Sequence, residues 1–139
     1  VRRFVFLLLD RFTMLAFASA IEPLRIANRV AGRTVYSWAL AGENGQNAVC
    51  SNGTSFHLDM GLDEVERDDI VLVCGGIDVA RATTRGVLNW LRREARRGVT
   101  VGSAPGRMRW PRPDFWTTGR RPSTGKTRTA FWRNSRRSS

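Results

Sequence analysis

Residues 4–9 read FVFLLL, and residues 69–74 read DIVLVC with Gly75 and Gly76 directly behind. A strand wetted on one face alternates polar and apolar residues. A short apolar run without alternation belongs to a strand covered on both faces, as in a parallel sheet between helices. Between these runs, Asp10 to Thr13 turns the chain. From Thr13 to about Val30, residues at Met14, Phe17, Ala18, Ile21, Leu24 and Ala27 or Asn28 return every three or four positions, which predicts one helix with one buried face. Pro23 removes a backbone donor inside it and is expected to bend it just after Glu22. Val35 to Ala41 alternates and predicts a strand ending at the turn of Gly42 to Gly45. Val49 to Asp59, interrupted by Asn52 and Gly53, predicts a short hairpin, and Asp63 to Glu66 an acidic turn or brief helix. Thr84 to Arg97 predicts an amphipathic helix, with Val87, Leu88, Leu91 and Ala95 inward and Arg92, Arg93, Arg96 and Arg97 outward. Gly98 stops it, and Val99 to Gly102 opens another strand. Strands alternating with helices imply an α/β domain, and right-handed crossovers make its sheet mostly parallel.

The 139 residues amount to one domain, or a domain with a tail. A 42% hydrophobic content excludes wholesale disorder and a disulfide scaffold. The formal charge of +11 is unevenly spread. Residues 1–102 hold 13 Arg against 11 acids, whereas residues 103–139 hold nine Arg and Lys126 against Asp114 alone. Beyond Gly102 there is no Leu, Ile or Val, so residues 103–139 are expected to be a disordered basic tail behind a domain of residues 1–102. Arg2 and Arg3 ahead of the first apolar run look like the start of a signal peptide. Asp10 and Arg11 end that run too soon for export or a membrane span, so a soluble cytoplasmic protein is expected. Cys50 and Cys74 have no metal-ligand spacing, and neither a metal nor a cofactor is expected.

The segments FLLLDRFTMLAFASAIEPLRIANRVAG (6–32), YSWALAGENG (36–45) and DIVLVCGGID (69–78) resemble the amino-terminal domain of AraC-type transcriptional regulators. That domain is ThiJ/PfpI-like, of the class I glutamine-amidotransferase-like superfamily. The resemblance implies a flavodoxin-like three-layer sandwich that senses a small metabolite, of the amino acid or quaternary amine class, ahead of a helix-turn-helix domain. It implies no catalysis, and a homodimer is possible. It covers residues 1 to about 102, so the sandwich is expected to be incomplete and only marginally stable. DNA would be a partner only through the missing carboxy-terminal domain.

Where the resembling domains continue into a turn such as LCTGA and a helix reading ALARAGLLD, this chain has Ser103, Ala104, Pro105 and Gly106. A change of reading frame accounts for the departure. When the third base of each codon is read with the first two of the next, Trp110 followed by Pro111 forces Ala, and Trp116 followed by Thr117 forces Asp. Other junctions across Gly102 to Thr117 permit LCTGAxALAxAGLLD, with x unfixed. Junctions across Ser123 to Ser135 permit HWENQDSFLEEF, similar to the next block of those domains. The expectation is a truncated sensor domain, frameshifted near Gly102 or Ser103.

Asp10, Glu22, Gly75, Gly76 and Ser103 are the expected ligand contacts, since ligands in open α/β sheets bind at the carboxyl ends of the strands. The resemblance brings Glu22 toward the elbow after the last strand, where a carboxylate can hydrogen-bond a ligand. Its plainer role is a helix acid paired with Arg25 or Arg29. Gly75 and Gly76 let backbone N–H groups approach a ligand carboxylate or oxyanion, or simply make a tight turn. Cys74 reads as a buried small hydrophobe, whereas Cys50, beside the Asn52-Gly53 turn, is placed for exposure. Nothing in the spacing brings His57 to either cysteine, as a catalytic pair requires. The GKT of residues 125–127 lacks the earlier glycine, strand and helix of a phosphate loop. Two alternatives remain: an amidase or hydrolase of the same superfamily, which the missing elbow cysteine disfavours, and a small basic protein that binds nucleic acid nonspecifically.

Overall fold

A computed structural model describes residues 1–104, so the expectations for the tail from Pro105 onward lie outside the described residues. The chain runs β1 (Arg2–Leu8), α1 (Met14–Ala31), β2 (Tyr36–Ala41), β3 (Asn47–Val49), β4 (Ser55–His57), β5 (Ile70–Cys74), α2 (Val79–Ala82), α3 (Arg85–Arg96) and β6 (Thr100–Ser103). The two apolar runs become adjacent central strands. The main sheet has the order β2-β1-β5-β6 and is parallel throughout, with Phe6 opposite Leu40 and Leu72, and Val73 opposite Ser103.

The lack of alternation in the runs follows from two cores, one on each face of the sheet. Val5, Leu7, Val71 and Val73 pack on one side with Val87, Trp90 and Leu91 of α3 and Val79 of α2. Phe6, Leu8 and Cys74 pack on the other with Ala16 and Phe17 of α1 and with Ala48, Cys50 and Leu58 around the small β3–β4 ribbon. Phe12, Phe17 and Phe56 meet edge to face, with ring centroids 5.4 to 5.9 Å apart. Each such pair contributes about 0.5–1.5 kcal/mol beyond its burial. The result is the expected three-layer arrangement around a mostly parallel sheet.

α1 runs as one helix through Pro23, which lies on its exposed side. Several other local expectations needed correction. Asp63 to Glu66 is irregular rather than helical, and it serves as a pad for α3. Trp90 Nε1 donates to the Asp63 carbonyl at 2.8 Å, Arg97 donates to the Val65 carbonyl at 3.1 Å, and Val65 is buried beneath them. The inward face of α3 also includes Trp90 and Glu94. Ordered structure passes the expected boundary at Gly102, because Ser103 belongs to β6 and Ala104 N–H donates to the Val73 carbonyl at 2.9 Å.

Candidate functional site

Because the four strands are parallel, their carboxyl ends share one edge, and the loops after β1, β2 and β5 meet there. The loop after β1 is held tightly. Arg11 N–H donates to the Val49 carbonyl at 2.9 Å, Ser51 N–H to the Phe12 carbonyl at 2.9 Å, and Thr13 N–H to the Gly75 carbonyl at 3.0 Å. Arg11 takes a left-handed conformation with φ of 57°. A non-glycine residue held there costs of order 1–2 kcal/mol, which the surrounding hydrogen bonds sustain.

At this edge a cavity of about 410 Å³ opens between the ends of β1 and β2, the ribbon and the start of the α2–α3 layer. Leu8, Leu9, Val49, Ala82 and Val87 supply an aliphatic wall. Asp10, Glu43, Asn44, Asn47, Arg81 and Thr84 supply the polar groups. The Glu43 carboxylate accepts a short hydrogen bond from the Thr84 hydroxyl, which joins the loop after β2 to the N-cap of α3. Among the described residues no ion pair occupies Asp10, Glu43 or Arg81. Two carboxylates and a guanidinium around an aliphatic wall can hold a small molecule carrying both charges.

The expected contact residues divide between several places. Asp10 lines the cavity. Gly75 and Gly76 are buried in the turn after β5, where a Cβ on Gly76 would fall 2.4 Å from the Arg11 carbonyl oxygen. The close approach that Gly76 permits is therefore to the chain's own backbone. Ser103 ends β6 opposite Val73 and is half-buried. Glu22 lies midway along α1, half-exposed, and pairs with Arg25 at 2.5 Å. None of these four is among the residues lining the cavity.

The cysteines do no evident chemistry. Burial pushes the Cys74 thiol up to about 12, so it stays protonated and unreactive at neutral pH. Cys50 is buried too, against the expected exposure, because its strand end bridges to Phe12; its Sγ lies 2.5 Å from the Asn52 side-chain oxygen. His57 is exposed on β4, opposite Asn47. Among the described residues no cluster of His, Cys, Asp and Glu suits a metal, and no helix is long and apolar enough to cross a membrane. Sequence reasoning missed Glu43, Arg81 and Thr84; the GENG turn and the short α2 carry two of them, and neither has a period to mark it.

No protein-family model matches the chain. Among its relatives are the HTH-type transcriptional regulators GbdR (41% identical over 98 residues) and CdhR (39% over 99) of Pseudomonas aeruginosa, and GlxA of Rhizobium meliloti (37% over 103). These alignments cover 70%, 71% and 73% of this chain but only 27%, 29% and 32% of the respective regulators. The chain thus spans about a quarter to a third of their length. Among solved structures, an AraC family transcriptional regulator from Pseudomonas putida superposes with a TM-score of 0.61 at 22% identity, over 74% of this chain and 55% of that one. A ThiJ/PfpI family protein from Pseudomonas syringae superposes with a TM-score of 0.55 at 13% identity, over 73% and 41%. The described residues therefore have the α/β fold of ThiJ/PfpI proteins and are similar in sequence to part of the HTH-type transcriptional regulators GbdR, CdhR and GlxA.

Proposed function

We propose that this domain is a non-catalytic sensor of a small zwitterionic metabolite, of the kind that precedes the helix-turn-helix domain in AraC-type regulators, acting in the cytoplasm. One observation carries the reading: the cavity at the carboxyl ends of β1 and β2 gathers Arg81 with Asp10 and Glu43 over an aliphatic wall. Arg81 would take the ligand carboxylate in charge-assisted hydrogen bonds, and the two acids its cationic end. Among the described residues no aromatic side chain lines the cavity. Quaternary ammonium groups are usually recognised over aromatic faces, so an ammonium bearing N–H groups, as in an amino acid, fits this lining better. Ser103, Gly75, Gly76 and Glu22 would then shape the neighbouring edge rather than touch the ligand.

In the same reading the coding frame changes near Gly102 or Ser103. The similarity to the regulators spans 98 to 103 residues, close to the length of the segment before that point. Thermal melts of the full chain with L-leucine, L-alanine, L-arginine and N,N,N-trimethylglycine test the sensing. A binder at about 100 times its Kd adds about 2.7 kcal/mol to stability. The reading expects such a gain with at least one amino acid and its loss in Arg81→Gln. A gain with none, or one indifferent to Arg81, contradicts it.

A further inference from the structure

The positive charge of the described domain is concentrated on α3 and its flanks. Between Arg81 and Arg97 there are six arginines and one acid, Glu94. Glu94 is fully buried and already engaged by Arg97 and Arg93, so it does nothing to neutralise the outer face. The rest of residues 1–104 holds seven Arg against ten acids, so the domain is polarised rather than uniformly basic.

At 100° per residue, Arg85, Asn89, Arg92 and Arg96 fall on one stripe of α3. Arg85, Asn89 and Arg96 are exposed, and Arg92 is half-buried. Among the described residues Arg85, Arg92 and Arg96 take part in no ion pair, and the Arg92 Nε atom is buried without a hydrogen-bond partner. Arg85 to Arg96 spans about 16 Å along the helix axis.

The partner that fits this stripe is decided by what the stripe lacks. Protein interfaces centre on a few anchors, mostly Trp, Tyr and Arg, seated in well-packed and fully desolvated pockets, and an exposed row of arginines without an aromatic among them offers no such centre. The apolar residues of α3 all turn inward: Val87, Trp90 and Leu91 are buried, and Leu88 and Ala95 pack against the same core. A row of unpaired guanidinium groups without an apolar centre suits a regular polyanion, read by charge alone.

We infer that the Arg85–Arg92–Arg96 stripe of α3 is a contact surface for the phosphate backbone of duplex DNA, separate from the metabolite cavity and without sequence preference. In a DNA-binding regulator such a surface would bring the sensor domain against the duplex beside the operator.

The test is fluorescence anisotropy of the full chain on a 30-bp mixed-sequence duplex across a salt series. It compares wild type with Arg85→Gln/Arg92→Gln/Arg96→Gln and with a tail control, Arg133→Gln/Arg136→Gln/Arg137→Gln. Each phosphate contact contributes about 0.9 to the slope of log K against log salt, so the α3 variant should lose between about 2 and 3 units of slope. That loss should add to whatever the tail variant loses. Arg85→Gln/Arg96→Gln, confined to exposed positions, replaces the triple variant if the latter melts early, and should lose about 1.8. An unchanged slope in a folded α3 variant overturns the inference. So does retained DNA affinity combined with lost binding to an acidic protein, such as polyglutamate used as probe, which would assign the stripe to a protein surface.

Discussion

Replacing Gly76 by Ala tests how the strand-edge loops hold one another. The new Cβ would lie 2.4 Å from the Arg11 carbonyl oxygen, 0.6 Å inside the 3.0 Å limit below which such contacts essentially never occur. The obstacle is backbone, so no side chain can swing aside. The loop at Asp10–Thr13 or the turn at Gly75–Gly76 must move, and Arg11 already occupies the left-handed region. Overpacking of this kind costs about 1–3 kcal/mol. Loss of the 3.0 Å hydrogen bond from Thr13 N–H to the Gly75 carbonyl adds about 1 kcal/mol. For a domain this small, each 1 kcal/mol lowers Tm by about 4–8 °C, so a fall of roughly 10 °C or more is expected. Gly53→Ala is the control: its φ is +90° but nothing lies within 4 Å of the new Cβ, so only local strain is added. Because Asp10 lies one residue before Arg11, Gly76→Ala should also weaken ligand binding, whereas Gly53→Ala should not. Scanning calorimetry of the three proteins decides it. If Gly76→Ala melts within about 2 °C of wild type, the reasoning about the loop contact is wrong.

Three further outcomes follow from the same geometry. The Cys74 thiol is raised from its ordinary 9.0 to about 12 by burial, so above pH 9 the unfolded chain releases a proton that the folded one keeps. Stability should therefore be intact below pH 9 and fall by about 1.4 kcal/mol per pH unit between 9 and 12, with Cys74→Ala showing a flatter fall in chemical-denaturation curves. Arg3 donates to Asp69 from Nη2 at 2.6 Å and Nε at 3.1 Å; Asp69 also accepts from Glu66 N–H, and its carboxylate raises the Arg3 guanidinium further. Arg3→Ala leaves a buried carboxylate without its cation and should cost about 1.5–3 kcal/mol by urea unfolding, while Arg2→Ala, on the exposed strand end, should cost little. Resequencing the coding DNA across codons 100–106 should reveal a missing or extra base; an unaltered frame removes the account of the tail.

Features with a long pattern were readable from residue types alone. The runs at Phe4–Leu9 and Asp69–Cys74 announced the buried pair β1 and β5, because a strand covered twice has no polar face to spare. α3 was readable from its arginine and aliphatic faces, with Thr84 as N-cap accepting from Val87 N–H at 3.3 Å. Short elements were readable only in part. The hairpin expected over Val49 to Asp59 is present as β3 and β4, although β3 already begins at Asn47, a poor strand former. α2 is four residues long, less than the period needed to display a face. Glu94 was missed as an inward residue because an acid reads as a surface group until Arg93 and Arg97 supply its partners, and Trp90 because burying its indole N–H needs the acceptor that the Asp63 carbonyl supplies. Of the five expected contacts only Asp10 lines the candidate cavity, and it follows from the rule that ligands sit at strand ends. Glu43 and Arg81, about forty residues apart, reach the same cavity only through the parallel order of β2, β1 and β5.

The most direct test of the central claim is a methyl NMR titration of the full chain with L-leucine, with Val49→Trp as a blocking variant at the exposed rim of the cavity. The account predicts that the largest shifts fall on Leu8, Leu9, Val49 and Val87, which line the cavity, and that the variant loses them while keeping its fold. Shifts centred instead on residues remote from that wall, such as Val101 of β6 or Leu24 of α1, or unchanged binding in the blocked variant, would contradict it.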